Sequence, residues 1–199
     1  MSVTRFLPPG LRSVLSSVRQ GAARRLARLL HDGRRRRALA RLRRWPVPRH
    51  VLVLCLGNIC RSPYVEAYLR ERGGDLDLTV SSAGFIGPGR PPPPEARDAA
   101  ARRSVDNREH VSELVSAAAV EKADLVLLVD PSHRSRLRRE AGAIPARVLV
   151  LGDLDPEPVD SRVVQDPWGE SREVYDQVFR RLDRCLEVLL REWRRRGAE

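Results

Sequence analysis

The sequence predicts an α/β fold: a doubly wound, four-stranded parallel sheet with helices on both faces. Two observations carry that reading. Short apolar runs at Val51–Leu54, Leu78–Val80, Asp124–Val129 and Arg147–Leu151 alternate with stretches at helical spacing. The third run is continuously apolar from Leu125, as a strand covered on both faces should be. A third observation places a site on the fold. The first run leads through a loop of small residues to Pro63 at a helix start, and sheets of this kind bind ligands at the carboxyl ends of their strands.

The chain divides unevenly before the first strand. Residues 1–50 contain 14 Arg and one acid, Asp32, whereas the rest carries 23 basic against 25 acidic groups. The formal charge of +11 therefore belongs to an N-terminal extension, residues 1–48, and the domain expected over 49–199 is close to neutral. In the extension, Leu11, Val14, Leu15, Val18, Ala22, Leu26, Leu29 and Leu30 recur at helical spacing with arginines between them. Gly33 is expected to break this pattern, and Leu39, Leu42 and Trp45 form a second short stripe. A basic amphipathic helix points to an anionic membrane surface or a protein partner. The plainer readings are a solvated helix or a flexible leader, and the Arg-rich, acid-poor composition also matches organelle transit peptides. No apolar run is long enough to span a bilayer, and no apolar core follows a short basic start as in a secretory signal.

Within the domain, the first helix is expected from Pro63 to Arg72, where Gly73-Gly74 stops it. The second strand, 78–80, closes on Ser81-Ser82-Ala83-Gly84. A loop rich in Pro and Gly then leads to a helix over 94–103. Ser116 is placed to cap a short helix ending at Lys122. A further helix is expected over 131–140, a long loop with Asp-Pro turns over 152–169, and a final helix over 171–196. That last helix buries Val174, Val178, Leu182, Leu186, Leu189 and Leu190.

The chemistry concentrates in Cys55-Leu56-Gly57-Asn58-Ile59-Cys60-Arg61-Ser62-Pro63. A loop at a helix N-terminus presents unpaired backbone N–H groups and the positive end of the helix dipole, which suits a tetrahedral dianion. The same field favours an anionic sulfur at Cys55. Arg61, five residues past Leu56, returns at the far lip, where its planar fork can hold two phosphate oxygens. Gly57 permits close backbone approach, and Asn58 tolerates a left-handed turn. Had the two cysteines been mere core residues, no arginine and no strand-to-helix context would be needed around them.

Three cysteines in an ordinary domain argue for a reducing compartment, hence a cytoplasmic location, and Cys185 falls on the apolar stripe of the last helix. His31, His50, His110 and His133 are scattered without metal-ligand spacing, so no metal and no cofactor is expected. A cysteine that accepts a phosphoryl group needs an acid for the leaving oxygen. Asp130, Asp155, Asp160 and Asp166 are the candidates in turns. Asp166-Pro167-Trp168-Gly169 is favoured because it couples a rigid carboxylate to an aromatic that could stack on a substrate ring.

Taken together, the loop 55–63, Ser81–Gly84, Ala123–Asp130 and Asp166–Gly169 resemble the low-molecular-weight protein-tyrosine phosphatase family in order and spacing. The resemblance covers residues 50 to about 195 and leaves the extension out. It implies that Cys55 is the nucleophile that becomes cysteinyl-phosphate, that Arg61 binds phosphate, and that Asp166 is the general acid and then base. It also implies that Leu56, Gly57, Asn58, Ile59, Cys60 and Ser62 form the cradle, with Ser62 donating to the thiolate and Trp168 as the aromatic wall. Ser82 and His110, with Asn58, would support the loop, and Cys60 would trap an oxidised Cys55 as a disulfide. The implied partner is a phosphotyrosine-containing protein; no specific nucleic acid is expected.

Two departures stand out: Val129 precedes Asp130 where the family usually has Met, and Pro91–Pro94 stiffen the approach to the second helix. Thioredoxin-coupled arsenate reductases share the loop but need downstream resolving cysteines, and none lies between Arg61 and Arg184. Protein-arginine phosphatases typically carry Thr where Ile59 stands, and a bulky apolar residue suits an aryl phosphate. A non-catalytic phosphate-binding module is disfavoured by the joint presence of Cys55, Arg61 and Asp166.

Overall fold

The computed structural model describes residues 9–142 and 147–197, with the side chains of 9–20 and 22–24 outside that description. Four parallel strands, β1 (His50–Leu54), β2 (Thr79–Ala83), β3 (Leu125–Leu128) and β4 (Val148–Val150), form one sheet in the order β2-β1-β3-β4. The chain runs from β1 outward to β2 and then returns to the other side of β1. The carboxyl end of β1 is therefore the switch point where this topology opens a crevice.

Alternation along β1 divides the core in two. Val51, Val53 and Cys55 face one layer; Leu52 and Leu54 face the other. The first layer comprises α2 (Arg61–Arg72), α3 (Pro94–Ala101) and α6 (Arg172–Gly197), and the second α4 (Ala117–Lys122) and α5 (His133–Ala141). The doubly wound sheet predicted by the apolar runs is thus the sheet observed. Ser116 Oγ accepts from Ala119 N at 3.2 Å, the cap expected of it. α6 buries Val178, Leu182, Cys185, Leu186, Leu189 and Leu190 along one stripe.

Three local expectations are corrected. Gly33 does not break the N-terminal helix: α1 is one helix, Pro9–Arg44. A glycine inside a helix destabilises it by only about 1 kcal/mol, and the burial of His31 just before Gly33 and of Ala38, Leu39 and Leu42 beyond it outweighs that. β2 extends through Ser81, Ser82 and Ala83, because pairing with Leu52, Val53 and Leu54 continues to the end of β1. The loop after β4 opens as a 3-10 turn, Leu151–Leu154, whose leucines are fully buried.

The second half of α1 packs on the domain. Ala38, Leu39 and Leu42 lie in the larger core, and Trp45 packs against it. His31 Nε2 bonds the buried carbonyl of Asp155 at 2.9 Å, and Arg43 pairs with Glu192 of α6. Asp155 is itself fully buried, where it is ion-paired with Arg181 and Arg184. The expected stripe at Leu26, Leu29 and Leu30 is exposed, and the side chains of Leu11, Val14, Leu15, Val18 and Ala22 lie outside the described residues. Among the described residues no helix is long and apolar enough to cross a membrane.

Candidate active site

Three carbonyls of the loop from Cys55 to Cys60 are each held by a separate donor from outside it. Leu56 O accepts from Phe85 N at 2.8 Å, Gly57 O from Arg90 Nη2 at 3.1 Å, and Asn58 O from His110 Nε2 at 2.9 Å. A carbonyl can only accept, so His110 carries its proton on Nε2. With these carbonyls engaged by other segments, the loop has the kind of backbone that can offer its amides to an anion. Asn58 sits at φ 51°, the left-handed conformation its residue type tolerates. Gly84 lies where β2 meets the loop, and a Cβ there would fall 2.8 Å from Leu56 O and 2.9 Å from Asn58 N. Only glycine permits that approach.

The buried side chain of Asn58 holds the loop from below. Its Nδ2 donates to Ser62 Oγ at 2.9 Å and to Ser82 Oγ at 2.8 Å, while its Oδ1 accepts from Glu113 N at 2.8 Å. Ser82 Oγ in turn donates to Glu66 at 2.6 Å, and Glu66 faces His110 Nδ1 at 3.6 Å. Ser62 Oγ donates to Cys55 Sγ at 3.1 Å and Asn58 N to the same sulfur at 3.2 Å. Two donors aimed at one buried sulfur stabilise negative charge on it.

Arg61 opens α2 and is buried. Its Nη1 donates to Val164 O at 3.0 Å, its Nη2 forms an ion pair with Asp166, and its buried Nε has no acceptor. Val164 N is tied to Val129 O at 2.9 Å, so the segment carrying Asp166 is anchored to the end of β3. Arg181 holds the same segment from α6 through the carbonyls of Ser161 and Val163. Trp168 is 65% exposed and forms one wall of a cleft lined by Cys55, Leu56, Ile59, Arg61, Ile86 and Asp166. Gly57, Cys60 and Arg90 also line it.

Cys60 is buried beside Tyr175 Oη at 3.8 Å, and burial pushes its thiol up to about 12, so it is neutral at physiological pH. His133, at the start of α5, is buried against Phe85 with ring centroids 5.2 Å apart. Burial lowers its basicity, opposed by Asp130 and reinforced by Arg61 and Arg136.

All the residues singled out from the sequence in the loop, with Asp166 and Trp168, meet in this one cleft or directly beneath it; Ser82 and His110 stand behind the loop. Of the other acid candidates, Asp155 is buried in its ion pairs, and Asp130 accepts from Ser132 N at 2.8 Å. Glu66, Arg90, Glu113 and Ile86 carried no signal in the sequence, since each reaches the site only through long-range folding.

The fold and site together define a class of α/β proteins that carry a Cys-x5-Arg loop between the first strand and its following helix. The chain belongs to the low molecular weight phosphotyrosine protein phosphatase family, whose sequence model matches residues 50–198. It is 32% identical over 146 residues to the low molecular weight protein-tyrosine-phosphatase Wzb of Salmonella typhi, covering 72% of this chain and 90% of that protein. Among solved structures it is similar to Vibrio vulnificus Wzb in complex with benzylphosphonate, with a TM-score of 0.67 at 25% identity over 73% of this chain and 99% of that one. A YwlE mutant from Bacillus subtilis aligns with a TM-score of 0.64 at 28% identity, over 73% and 98% of the two chains. The protein is thus an enzyme of the low molecular weight protein-tyrosine phosphatase type.

Proposed function

We propose that the enzyme hydrolyses phosphotyrosine in protein substrates through a cysteinyl-phosphate on Cys55. The observation that carries this reading is the placement of Cys55 Sγ. It receives two hydrogen bonds at the floor of a cleft whose far side is Asp166 and whose wall is Trp168. Sγ attacks phosphorus as the bond to the phenolic oxygen breaks, and Asp166 gives its proton to that oxygen. In the second step Asp166 takes a proton from water, the water oxygen bonds to phosphorus, and the P–S bond breaks to release inorganic phosphate. Splitting the displacement lowers each barrier, and the positioned acid contributes about 10²–10⁴-fold.

Arg61 ties binding to chemistry in this scheme. Its fork is shared between Asp166 and Val164 O, with Nε unpartnered. A phosphoryl dianion engages Nε and competes for Nη2, which breaks the ion pair, and the freed Asp166 carboxylate takes up from solvent the proton that it then gives to the phenolic oxygen. The benzylphosphonate complex of the Vibrio relative is consistent with an aryl group in this cleft. The YwlE arginine phosphatase structures raise phosphoarginine as a second substrate. Ile59, buried and apolar in the cleft, favours the aryl ester. Comparing turnover of phosphotyrosine and phosphoarginine in the same peptide decides the matter: the phosphotyrosine form should be the better substrate by at least tenfold.

The extension adds a docking element to this function. Leu26, Leu29 and Leu30 are 57%, 78% and 52% exposed. At 3.6 residues per turn they fall roughly opposite His31, Ala38 and Leu42, which face the core. With Arg25 and Arg28 exposed beside them, this side of α1 suits the surface of an anionic membrane. The enzyme would then be cytoplasmic and peripherally attached. Full-length protein should sediment with vesicles rich in phosphatidylserine, in a salt-sensitive manner, and the L26Q/L29Q/L30Q variant should not. Equal sedimentation of both proteins would contradict the assignment.

A further inference from the structure

Arg90 is the cation of this cleft that the scheme above leaves unused. It lies in the loop between β2 and α3, and its position is fixed twice over. Its backbone N–H donates to Ser112 Oγ and its carbonyl accepts from Ser112 N, each at 2.9 Å. Its guanidinium donates through Nε to Gly87 O at 2.6 Å, and through Nη2 to Ile86 O and Gly57 O at 3.1 Å. Gly87 has φ +59°, and a Cβ there would lie 2.5 Å from the guanidinium carbon, so glycine is what makes room for this placement.

These acceptors are all neutral carbonyls. Among the described residues no carboxylate ion-pairs with Arg90, and Nη1 has no protein acceptor. This is unlike Arg61, which Asp166 already balances. Arg90 nevertheless lines the cleft with Ile86, Leu56 and Trp168. A fixed, uncompensated guanidinium therefore lines the cleft beside apolar side chains that suit a phenyl ring. Such a group has given up its side-chain freedom before substrate arrives, so an anion that meets it gains more than it would from a mobile surface arginine.

We propose that Arg90 determines substrate specificity, selecting phosphotyrosine sites flanked by an acidic side chain. This rests on the phosphatase reading above. The bound tyrosyl phosphate would fill the floor at Cys55 and Arg61. A neighbouring Asp or Glu of the substrate would accept from Nη1 of Arg90, the nitrogen that no acceptor among the described residues occupies. Charge-assisted pairs at a partly exposed rim change affinity more than the chemical step.

The test compares two phosphotyrosine peptides differing only in the residues beside the tyrosine, acidic in one and alanine in the other. For the wild type, kcat/KM should favour the acidic peptide by about 5–30-fold, mostly through KM, with the preference shrinking as salt is raised. In R90Q the ratio should fall to near one. Any general slowing from the lost strap on Gly57 affects both peptides and cancels in the ratio. R90K, which keeps the charge without the fork, should retain part of the preference. Binding of the same peptides to C55S gives a second readout that needs no turnover, and should show the same ratio. A preference that survives in R90Q, or a wild type with none in either readout, overturns the proposal. Inactive wild type that still binds with the acidic preference would refute the phosphatase reading and leave the role of Arg90 standing.

Discussion

The side-chain amide of Asn58 donates to Ser82 Oγ at 2.8 Å, so the left-handed turn of the phosphate loop is fixed from the end of the neighbouring strand. Ser82 is buried and passes the restraint on to Glu66. Ser82→Ala removes both bonds, taking one acceptor from the buried Asn58 amide and one donor from the half-buried Glu66 carboxylate, a loss of about 1–3 kcal/mol. Asn58→Ala loses three side-chain bonds and leaves at φ 51° a residue with no polar side chain to offset that conformation, and should destabilise by about 2–4 kcal/mol. Urea unfolding measures both. The Asn58 variant should be the less stable of the two; the reverse order would show that the turn is held from elsewhere.

Asp166 and Asp130 should separate cleanly. Asp166→Asn should lower kcat on aryl phosphates by about 10²–10⁴. Because it also frees Arg61 from its carboxylate partner, it should not weaken inhibition by inorganic phosphate. Asp130 caps a turn through Ser132 N, and Asp130→Asn should keep kcat within a few-fold of wild type. A near-silent Asp166→Asn beside a crippled Asp130→Asn would reverse the assignment of the acid.

The N-terminal helix is expected to behave as part of the domain. Leu42 is 2% exposed within the main core, and Leu42→Ala should destabilise by about 2–5 kcal/mol. Leu29, 78% exposed on the same helix, should tolerate the change within about 0.5 kcal/mol. Thermal or urea denaturation gives the comparison. Two equally silent substitutions would mean that the packing of α1 does not contribute to folding.

His133 gives the stability a pH dependence of known sign. Burial is the main cause of its lowered pKa, with Arg61 and Arg136 acting in the same sense and Asp130 and Asp166 against it. The unfolded chain, with a histidine near pKa 6.5, takes up a proton before the folded protein does. Stability is therefore full above about pH 6.5 and declines as the pH falls from there toward the depressed native value. Other groups titrate too, so the measured quantity is the difference between wild type and His133→Leu. Wild type should lose more stability between pH 7.5 and 5.5 than the variant; parallel curves would contradict a neutral buried His133.

What the sequence made legible was local or periodic. Continuous apolar runs marked β1 and β3, the stripe from Val178 to Leu190 marked α6, and Ser116 marked a cap, because each signal lies within a few residues of its effect. Cys55, Arg61 and Ser62 were legible for the same reason, being spaced along one loop. Gly33 misled because a helix tolerates a glycine when packing resumes beyond it at Ala38 and Leu42. The attachment of α1 depends on Asp155 and Glu192, 124 and 149 residues away from His31 and Arg43, which no local pattern encodes. Arg90 and Glu66 were invisible for that reason as well: their roles arise from partners at Gly57 and Ser82 that only the fold brings near.

Hydrolysis of p-nitrophenyl phosphate in the presence of EDTA, by wild type and by Cys55→Ser, tests the central claim most directly. The account predicts turnover by the wild type that is insensitive to the chelator and abolished in the variant, together with phosphate trapped on Cys55 when the wild-type reaction is quenched in acid. Turnover that persists in Cys55→Ser, or a folded and reduced wild type that leaves the ester intact, would contradict it.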